Sequence, residues 1–371
     1  MVKLVTLNKA QLLALVNSRE FLVEMAHIPI SPVRALSHSV NPCASEADVL
    51  LVIAYLDNEL VGYMGILPDN LKLNNTPSQK IGWLSCLWVN PEKRGLGIGY
   101  KLLKQCMESW QYQLLLTEFT KEAGTLYDKS KFFKNFYDLT GQRYYLKSDL
   151  ATLMPPKHLV FKKLDWLLSA TDAVANMSLR VASIFKRKRF NQGLYKAVTE
   201  LDEEVLALIR DTRNANEVFA RDEQAFNWVF RNPWLTSAPK KDELNQRYFF
   251  SSVVRFFKFE MLKIYNPESQ KLVGFVLLSV RDTHLRTPYI YVLEGNIKWV
   301  ALGIEQYASR MGMVRTLTTY NALLIDYWSG HSSISWFSKP LLRRYILSTK
   351  VDISGQSEVF IQDGDGDCSF T

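Results

Sequence analysis

A short glycine-rich run between an apolar stretch and a helix-like stretch is the feature that most restricts how this chain folds. Residues Arg94–Gly99 read Arg-Gly-Leu-Gly-Ile-Gly, follow the apolar stretch Ile81–Val89 and precede a helix-like run from Tyr100. Glycines let the backbone pass close to an anion, and the first amides of a helix point free N–H groups towards it. The order of strand, loop and helix therefore predicts a pyrophosphate site in an α/β fold.

Spacing separates the classes of nucleotide site that use such a loop. A P-loop needs a Lys-Ser or Lys-Thr pair at the end of a longer loop, whereas Gly99 is followed by Tyr100 and Lys101. A dinucleotide fingerprint needs Gly-x-Gly-x-x-Gly and an acidic residue about 20 positions further on. The glycines here stand at alternate positions, and Glu118 is the one near match for the acid. The first class is excluded and the second fits weakly.

The loop resembles motif A of the GCN5-related N-acetyltransferase (GNAT) superfamily. Its Arg/Gln-x-x-Gly-x-Gly/Ala signature is matched by Arg94, Gly97 and Gly99. A second stretch, Asn135–Gly141, is similar to the aromatic-Tyr-x-x-x-Gly motif that the family carries at the end of its fourth helix. The resemblance implies a mixed, mostly antiparallel twisted sheet flanked by helices, with acetyl-CoA as co-substrate and no metal.

The resemblance also implies which residues hold acetyl-CoA. A bulge in the strand before the loop would expose backbone groups to pantetheine, and amides there would polarise the thioester carbonyl. Ser130 stands where many relatives carry an asparagine that touches the coenzyme. The predicted cofactor-binding residues are Leu87, Val89, Arg94, Gly95, Leu96, Gly97, Ile98, Gly99 and Ser130.

Candidate catalytic residues follow from the needs of acyl transfer to an amine. By resemblance Tyr137 faces the coenzyme sulfur, and a phenol can protonate a departing thiolate. The strand before the loop carries no carboxylate, so Glu118, at the end of the next strand, is the candidate base. The loop of residues 31–42 is expected to line the acceptor side, because the equivalent family loop does so. Arginine can pair with a carboxylate or phosphate and histidine can hydrogen-bond an acceptor, so the candidate substrate-binding residues are Arg34, His38 and Asn41.

The pattern of elements repeats along the chain, which predicts tandem GNAT folds. Two adjacent proline residues after Met154 and a basic run near residue 188 divide the sequence. We predict a catalytic GNAT domain over 1–154, a helical connector over 155–190 and a degenerate GNAT-like domain over 191–371. Where the second copy should have its phosphate loop, it has Glu294-Gly295-Asn296 without paired glycines. The resemblance therefore implies one coenzyme site, in the first copy.

Secondary structure is predicted from periodicity. Asp48–Leu56 and Leu60–Leu67 read as a hairpin. Residues Tyr127–Leu139 read as a helix and Gln142–Lys147 as the strand after it.

Composition adds few limits. The chain of 371 residues has a net charge of +8, which suits a polyanionic ligand such as coenzyme A but also permits nucleic acid or an anionic membrane. We expect no nucleic-acid partner. No apolar run reaches the roughly 18 residues of a membrane span, and the expected location is the cytoplasm. The four cysteines lack metal-site spacing.

The last residues alternate Asp and Gly. The acidic tail, residues 361–371, resembles a calcium loop, but it lacks the distal glutamate of an EF-hand. Two hypotheses remain open: a frayed end, or a docked acidic strand that faces the ammonium group of an acceptor.

Together these features favour an acetyl-CoA-dependent N-acetyltransferase that moves an acetyl group to the primary amine of a small molecule by direct attack. One alternative is acetylation of a protein lysine or N-terminus. Another is a GNAT-fold binding protein without turnover, and a third is an aminoacyl transferase that uses charged tRNA.

Overall fold

The computed structural model describes residues 1–73, 77–148, 164, 166–168, 170–174, 176, 193–331, 337–356 and 358–370. The chain forms two compact units. Unit 1 contains Met1–Leu139, Asn214–Phe257 and Leu342–Thr371, and unit 2 contains Thr140–Arg213 and Lys258–Leu341.

These units do not follow the predicted division at residues 154 and 191. The chain returns to unit 1 twice after its first exit, at residues 214–257 and again at residues 342–371. The predicted connector, residues 155–190, lies mostly outside the described residues.

The strands and helices alternate along the chain. The strands are β1 Val2–Leu7, β2 Leu51–Leu56, β3 Glu59–Leu71, β4 Gln79–Val89, β5 Leu114–Leu116, β6 Phe133–Tyr145, β7 Tyr195–Val198, β8 Thr236–Ser237, β9 Val253–Val254, β10 Phe257–Tyr265, β11 Leu272–Arg281, β12 His284–Val292, β13 Thr316–Thr319 and β14 Phe337–Ser348. The helices are α1 Lys9–Val16, α2 Pro32–Ser39, α3 Ile98–Ser109, α4 Lys121–Ser130, α5 Glu203–Thr212, α6 Glu223–Arg231, α7 Glu243–Gln246, α8 Ile297–Met311 and α9 Ala322–Gly330.

Unit 1 is built on a sheet with the order β1-β2-β3-β4-β5-β14-β6. The pairs β1/β2, β2/β3 and β3/β4 are antiparallel. β4 and β5 are parallel, and β5 and β14 are antiparallel. The predicted hairpin is confirmed as β2 and β3.

Both faces of the unit 1 sheet are covered, and alternation along β2 shows how. Val52 and Ala54 belong to a core cluster with Leu102 and Leu103 of α3. Leu51 and Ile53 belong to a second cluster with residues of α1 and α2. Successive side chains of a strand point to opposite faces, so an apolar strand of this kind is buried on both sides.

Unit 2 repeats the order of unit 1, with its strands in the order β6-β13-β12-β11-β10-β7. β11 and β12 are antiparallel, and the register shifts between Leu277 and Ser279 so that Thr287 and Pro288 oppose Leu278. β12 is parallel to β13 and is followed by helix α8. An antiparallel pair with a bulge, a parallel neighbour and a following helix also occur at β3, β4, β5 and α3. The predicted second copy is confirmed in its order of elements.

One predicted helix is wrong. Residues Tyr127–Leu139 were expected to form a helix, but α4 ends at Ser130 and β6 begins at Phe133. Thr120 caps the start of α4 by accepting from the amide of Ala123, and Lys131 ends it in the left-handed conformation, with φ at 60°. The residues after Phe133 are rich in aromatic side chains, which favour strands.

The acidic tail is docked in unit 1, which excludes a frayed end for its described residues. Phe360 donates its amide to the Asn216 carbonyl at 2.9 Å and accepts from the Val218 amide at 3.1 Å. Beyond it the chain forms a short 3₁₀ turn at Gly366–Phe370, not a strand.

Gly366 lies against the ring of Trp83 with a φ of +74°, and a Cβ there would come within 2.7 Å of the ring. We expect Gly366→Ala to destabilise unit 1 by about 1–3 kcal/mol through overpacking, in addition to the cost of the positive φ. Gly355→Ala is the matched control, since Gly355 has a φ of +88° and open space around its Cβ position. Chemical denaturation of both variants checks this, and equal losses of stability would contradict the packing argument.

Candidate functional site

The glycine cradle, residues Arg94–Gly99, forms the predicted turn into helix α3. Gly95 and Gly97 have φ values of 88° and 71°, in the left-handed region that favours glycine. Gly97 is the N-cap of α3 and has no side-chain cap bond. The first amides of α3 therefore face outward, where an anion can accept from them.

The cradle is open and fits a diphosphate. No heavy atom lies within 4 Å of a Cβ position built on Gly95 or Gly97. Arg94, Leu96 and Gly97 are exposed, while Ile98 is buried and anchors the turn in the core. An exposed row of free amides beside an arginine is the donor set that a phosphate group needs.

The predicted bulge lies in β4. Tyr63 pairs with Trp88 and Gly65 pairs with Ser85, so Cys86 and Leu87 together oppose one residue of β3. Cys86 has a φ of 54°, an uncommon conformation for a non-glycine residue. Pairing of β4 with β5 is recorded as far as Trp83 with Leu115, whereas β4 continues to Val89. Backbone groups near Leu87 are thus turned out of the regular ladder.

Tyr137 lies away from the end of a helix, where the sequence prediction placed it. It is within strand β6 and lines an open cavity of about 500 Å³ with Asn214, Asn216 and Glu358. Burial raises the pKa of its phenol. The assignment of Tyr137 rested on a helix that ends before it, so that support is lost.

Tyr127 occupies the end of α4 instead. The spacing from Tyr127 to Lys131 is the Tyr-x-x-x-Gly spacing with lysine in the place of glycine, and Lys131 adopts the conformation that glycine favours. The helix packs beside the cradle, because a Cβ on Gly99 would come within 3.3 Å of Leu126. Sequence analysis missed Tyr127, although the capping threonine at 120 is a signal that shifts the helix towards it.

Ser130 caps α4. Its hydroxyl donates to the Tyr127 carbonyl at 2.7 Å and accepts from the Phe132 amide at 3.2 Å. Its side chain thus serves the helix end next to the cradle.

Residues 31–42, expected to form a loop, contain helix α2. Ser31 caps it and Pro32 occupies its first turn, the position where proline is well tolerated. The three candidate substrate-binding side chains are buried. Asn41 donates to the Pro68 carbonyl at 2.7 Å.

Arg34 is the centre of a buried polar cluster on α2. It donates to the Ser85 hydroxyl at 3.0 Å and to His38 Nε2 at 3.2 Å. Its guanidinium also lies over the Trp234 ring, 4.4 Å from the centroid. Burial and the charge of Arg34 lower the pKa of His38 well below its ordinary value, so this imidazole is neutral. His38 Nδ1 has no hydrogen-bond partner among the described residues.

Each carboxylate of the acidic tail meets an arginine of unit 1. Asp363 accepts from Arg343 Nη1 at 2.7 Å, and Asp365 lies 3.1 Å from Arg221 Nη2. The third pair is Asp367 with Arg34, at 3.7 Å. These partners are far apart in the sequence, and no local pattern predicted them.

Arg221 and Arg343 each serve two carboxylates. Arg221 also forms a bidentate pair with Asp69, both bonds at 2.7 Å. Arg343 Nη2 lies 2.6 Å from Glu118, the candidate base, which follows β5 as predicted and has a φ of 50°. Glu118 is therefore held in an ion pair.

The described residues contain no group of three or more His, Cys, Asp or Glu side chains placed to hold a metal ion. Among the described helices, none is long and apolar enough to cross a membrane.

Residues 21–113 match the model of the acetyltransferase (GNAT) family. They carry a GNAT acetyltransferase domain. The resemblance that was predicted from motif A is thereby confirmed, since this GNAT segment includes the cradle and the β4 bulge. The match supports acetyl transfer in general, without specifying the acceptor. A sequence search of curated proteins finds no match.

Solved structures with the GNAT fold resemble the chain at low identity. A protein from Enterococcus faecalis V583, described as a "Probable N-Acyltransferase", has 10% identity and a TM-score of 0.50, over 93% of this chain and 72% of that chain. A GCN5-related N-acetyltransferase from Kribbella flavida has 12% identity and a TM-score of 0.47, over 94% and 70% of the two chains. A tandem GNAT protein from the clavulanic acid biosynthesis pathway has 13% identity and a TM-score of 0.48, over 95% and 100%.

Asp365 gives the GNAT unit a testable pH dependence. Burial raises the pKa of this carboxyl to about 7 from its ordinary 3.8, against the attraction of Arg221. The folded chain then holds a proton that the unfolded chain releases, so the stability from this group is complete below about pH 4 and declines as pH rises to about 7. We expect the melting temperature of Asp365→Asn to vary less with pH across this window than that of wild type.

Asp128→Asn is the control for this experiment, because Asp128 is exposed on α4. It should keep the wild-type pH dependence. An Asp365→Asn variant with an unchanged pH profile would show that Asp365 is ionised throughout.

Proposed function

We propose that unit 1 transfers an acetyl group from acetyl-CoA to the primary amine of a small molecule. The observation that carries the proposal is the open glycine cradle at the start of α3, directly after a strand with a bulge. A diphosphate at the cradle would place a pantetheine arm along the part of β4 that continues beyond its pairing with β5.

The cradle would hold the diphosphate through its backbone. The amides of residues 95–99 are the donors, and the exposed Arg94 adds a charge that can pair with a phosphate oxygen. Backbone groups near Leu87 and Val89 would bind the pantetheine arm. When bound, acetyl-CoA supplies a thioester carbonyl that an amine can attack.

The bulge would stabilise the charge that develops on the carbonyl oxygen. Amides held by a rigid strand need no reorganisation when the charge forms, and this makes them effective in a site that excludes water. Leu84, Leu87 and Val89 belong to the core cluster or pack against it and keep this part of β4 apolar.

Tyr127 is the better candidate for the general acid. It lies at the end of the helix that packs beside the cradle, and it interacts electrostatically with Asp367. Burial raises the pKa of its phenol, so the group stays protonated at neutral pH and can donate a proton to a departing thiolate.

The acceptor side supports an amine that arrives with a positive charge. Asp367 is a carboxylate near the bulge, and it attracts a cation more readily than an anion. Arg34, His38 and Asn41 would shape this side from beneath, since all three are buried.

Acetyl-CoA binding and turnover test the proposal together. We expect Gly97→Glu to weaken acetyl-CoA binding about a hundredfold, because the new carboxylate stands at a helix N-terminus where a phosphate should lie. Calorimetry with acetyl-CoA measures this, and release of free thiol in the presence of glucosamine, lysine or spermidine measures transfer.

Gly295→Glu is the matched control, since Gly295 also has a positive φ, 74°, and open space around its Cβ position. It should leave binding unchanged. Absence of acetyl-CoA binding by wild type would refute the proposal. Acetylation of a lysine-containing peptide with none of the small amines would instead favour a protein acceptor.

Tyr127→Phe and Tyr137→Phe separate the two candidate acids. We expect Tyr127→Phe to lower kcat about 10²- to 10⁴-fold, the usual contribution of a general acid. The KM for acetyl-CoA should change little, because the ring still packs on Phe119 and Phe133. Tyr137→Phe should keep kcat near the wild-type value. The reverse result would restore Tyr137 as the acid.

A further inference from the structure

The strand that leads to the cradle carries no acid. Residues 79–89 include no Asp or Glu, so a base for the acceptor amine has to come from another part of unit 1. Glu118 lies close by, but Arg343 holds it at 2.6 Å.

Asp367 differs from the other two tail carboxylates. The side chains of Asp363 and Asp365 are 2% and 0% exposed and make ion pairs of 2.7 and 3.1 Å. The Asp367 side chain is 18% exposed, and its ion pair within the described chain, with Arg34, is looser at 3.7 Å. Asp367 therefore has free lone pairs and a path to solvent, which a group that exchanges protons needs.

The position of Asp367 relative to the site is set by Arg34 and by the tail. Arg34 Nη2 lies 3.0 Å from the hydroxyl of Ser85, the residue before the bulge, and 3.7 Å from Asp367 Oδ2. One guanidinium thus links the carboxylate to the bulge. The turn that carries Asp367 packs on β3 and β4, and Gly366 lies against Trp83 of β4.

We propose that Asp367 is the general base of the acetyl transfer, an inference that rests on the proposed function. Asp367 takes one proton from the ammonium group of the acceptor. The nitrogen lone pair then forms the C–N bond to the carbonyl carbon while the C–S bond breaks.

The remaining protons balance as follows from the chemistry of the amide. The thiolate takes a proton from Tyr127, and the second proton of the nitrogen returns to Tyr127 through water. Asp367 then releases its proton to solvent. One ammonium and one thioester give one amide, one thiol and one proton.

The electrostatic surroundings suit this role. Burial raises the pKa of Asp367 to about 6, Arg34 and Arg343 oppose the rise, and the charge of Glu118 adds to it. The phenol of Tyr127 is the remaining titratable neighbour, from α4. A base is effective when its pKa is near the working pH, because it then both accepts and releases a proton readily.

The test is the pH profile of Asp367→Asn with the small amine that wild type acetylates best. We expect kcat/KM to fall about 10²- to 10⁴-fold at neutral pH, and the limb near pH 6 to disappear. Acetyl transfer to hydroxylamine, which is neutral at this pH and needs no initial deprotonation, should fall much less. Asp367→Glu should recover part of the activity and the limb.

Asp363→Asn controls for weakened docking of the tail. It removes another tail carboxylate, the one bound to Arg343, and should keep both the limb and the preference between acceptors. Equal losses in both Asn variants, or an unchanged limb in Asp367→Asn, would overturn the proposal for Asp367 while leaving acetyl transfer intact. Failure of wild type to bind acetyl-CoA would overturn the proposed function and the base with it.

Discussion

Three buried arginines and the carboxylates that neutralise them form the interaction on which the arrangement of unit 1 depends. A guanidinium cannot be deprotonated in a protein, so each one needs a counter-ion wherever it is taken out of water. Arg34, Arg221 and Arg343 are 4–8% exposed, and each meets a carboxylate of the acidic tail. Such pairs add modestly to net stability, but loss of one partner leaves a buried charge and is costly. They therefore determine where the tail lies more than how stable the fold is.

The position of the tail in turn determines the composition of the candidate site. The β4 bulge and the cradle come from one continuous stretch, residues 79–99, and supply backbone groups. Side chains able to transfer protons come from elsewhere, with Tyr127 on α4 and Asp367 on the tail. Trp83 connects the two parts, because it donates to Asp69 at 2.8 Å while its ring packs on Gly366. The bulged strand and the acidic turn are thus held in one packing arrangement.

The sequence predicted the features that local spacing encodes. Alternating glycines between a strand and a helix were enough to locate the cradle, and the repeated order of elements revealed the second copy. Tyr127 was missed because Lys131 stands where the motif has glycine, although the backbone still adopts the glycine-like conformation. The partners of the tail were missed because Asp365 and Arg221 are 144 positions apart. Opposite charges at such separations give no periodicity, and the unit boundaries were missed for the same reason.

The assembly of unit 1 from three stretches has a consequence for synthesis of the chain on the ribosome. The cradle, the bulge and Arg34 leave the exit tunnel early, yet the aspartates that neutralise the buried arginines are made more than 200 positions later, after residue 342. Until then the nascent polypeptide carries unpaired guanidinium groups that favour an open, hydrated intermediate. Completion of the proton-transfer machinery is thereby tied to translation of the final segment, so a prematurely released product would lack the carboxylate that completes the pocket.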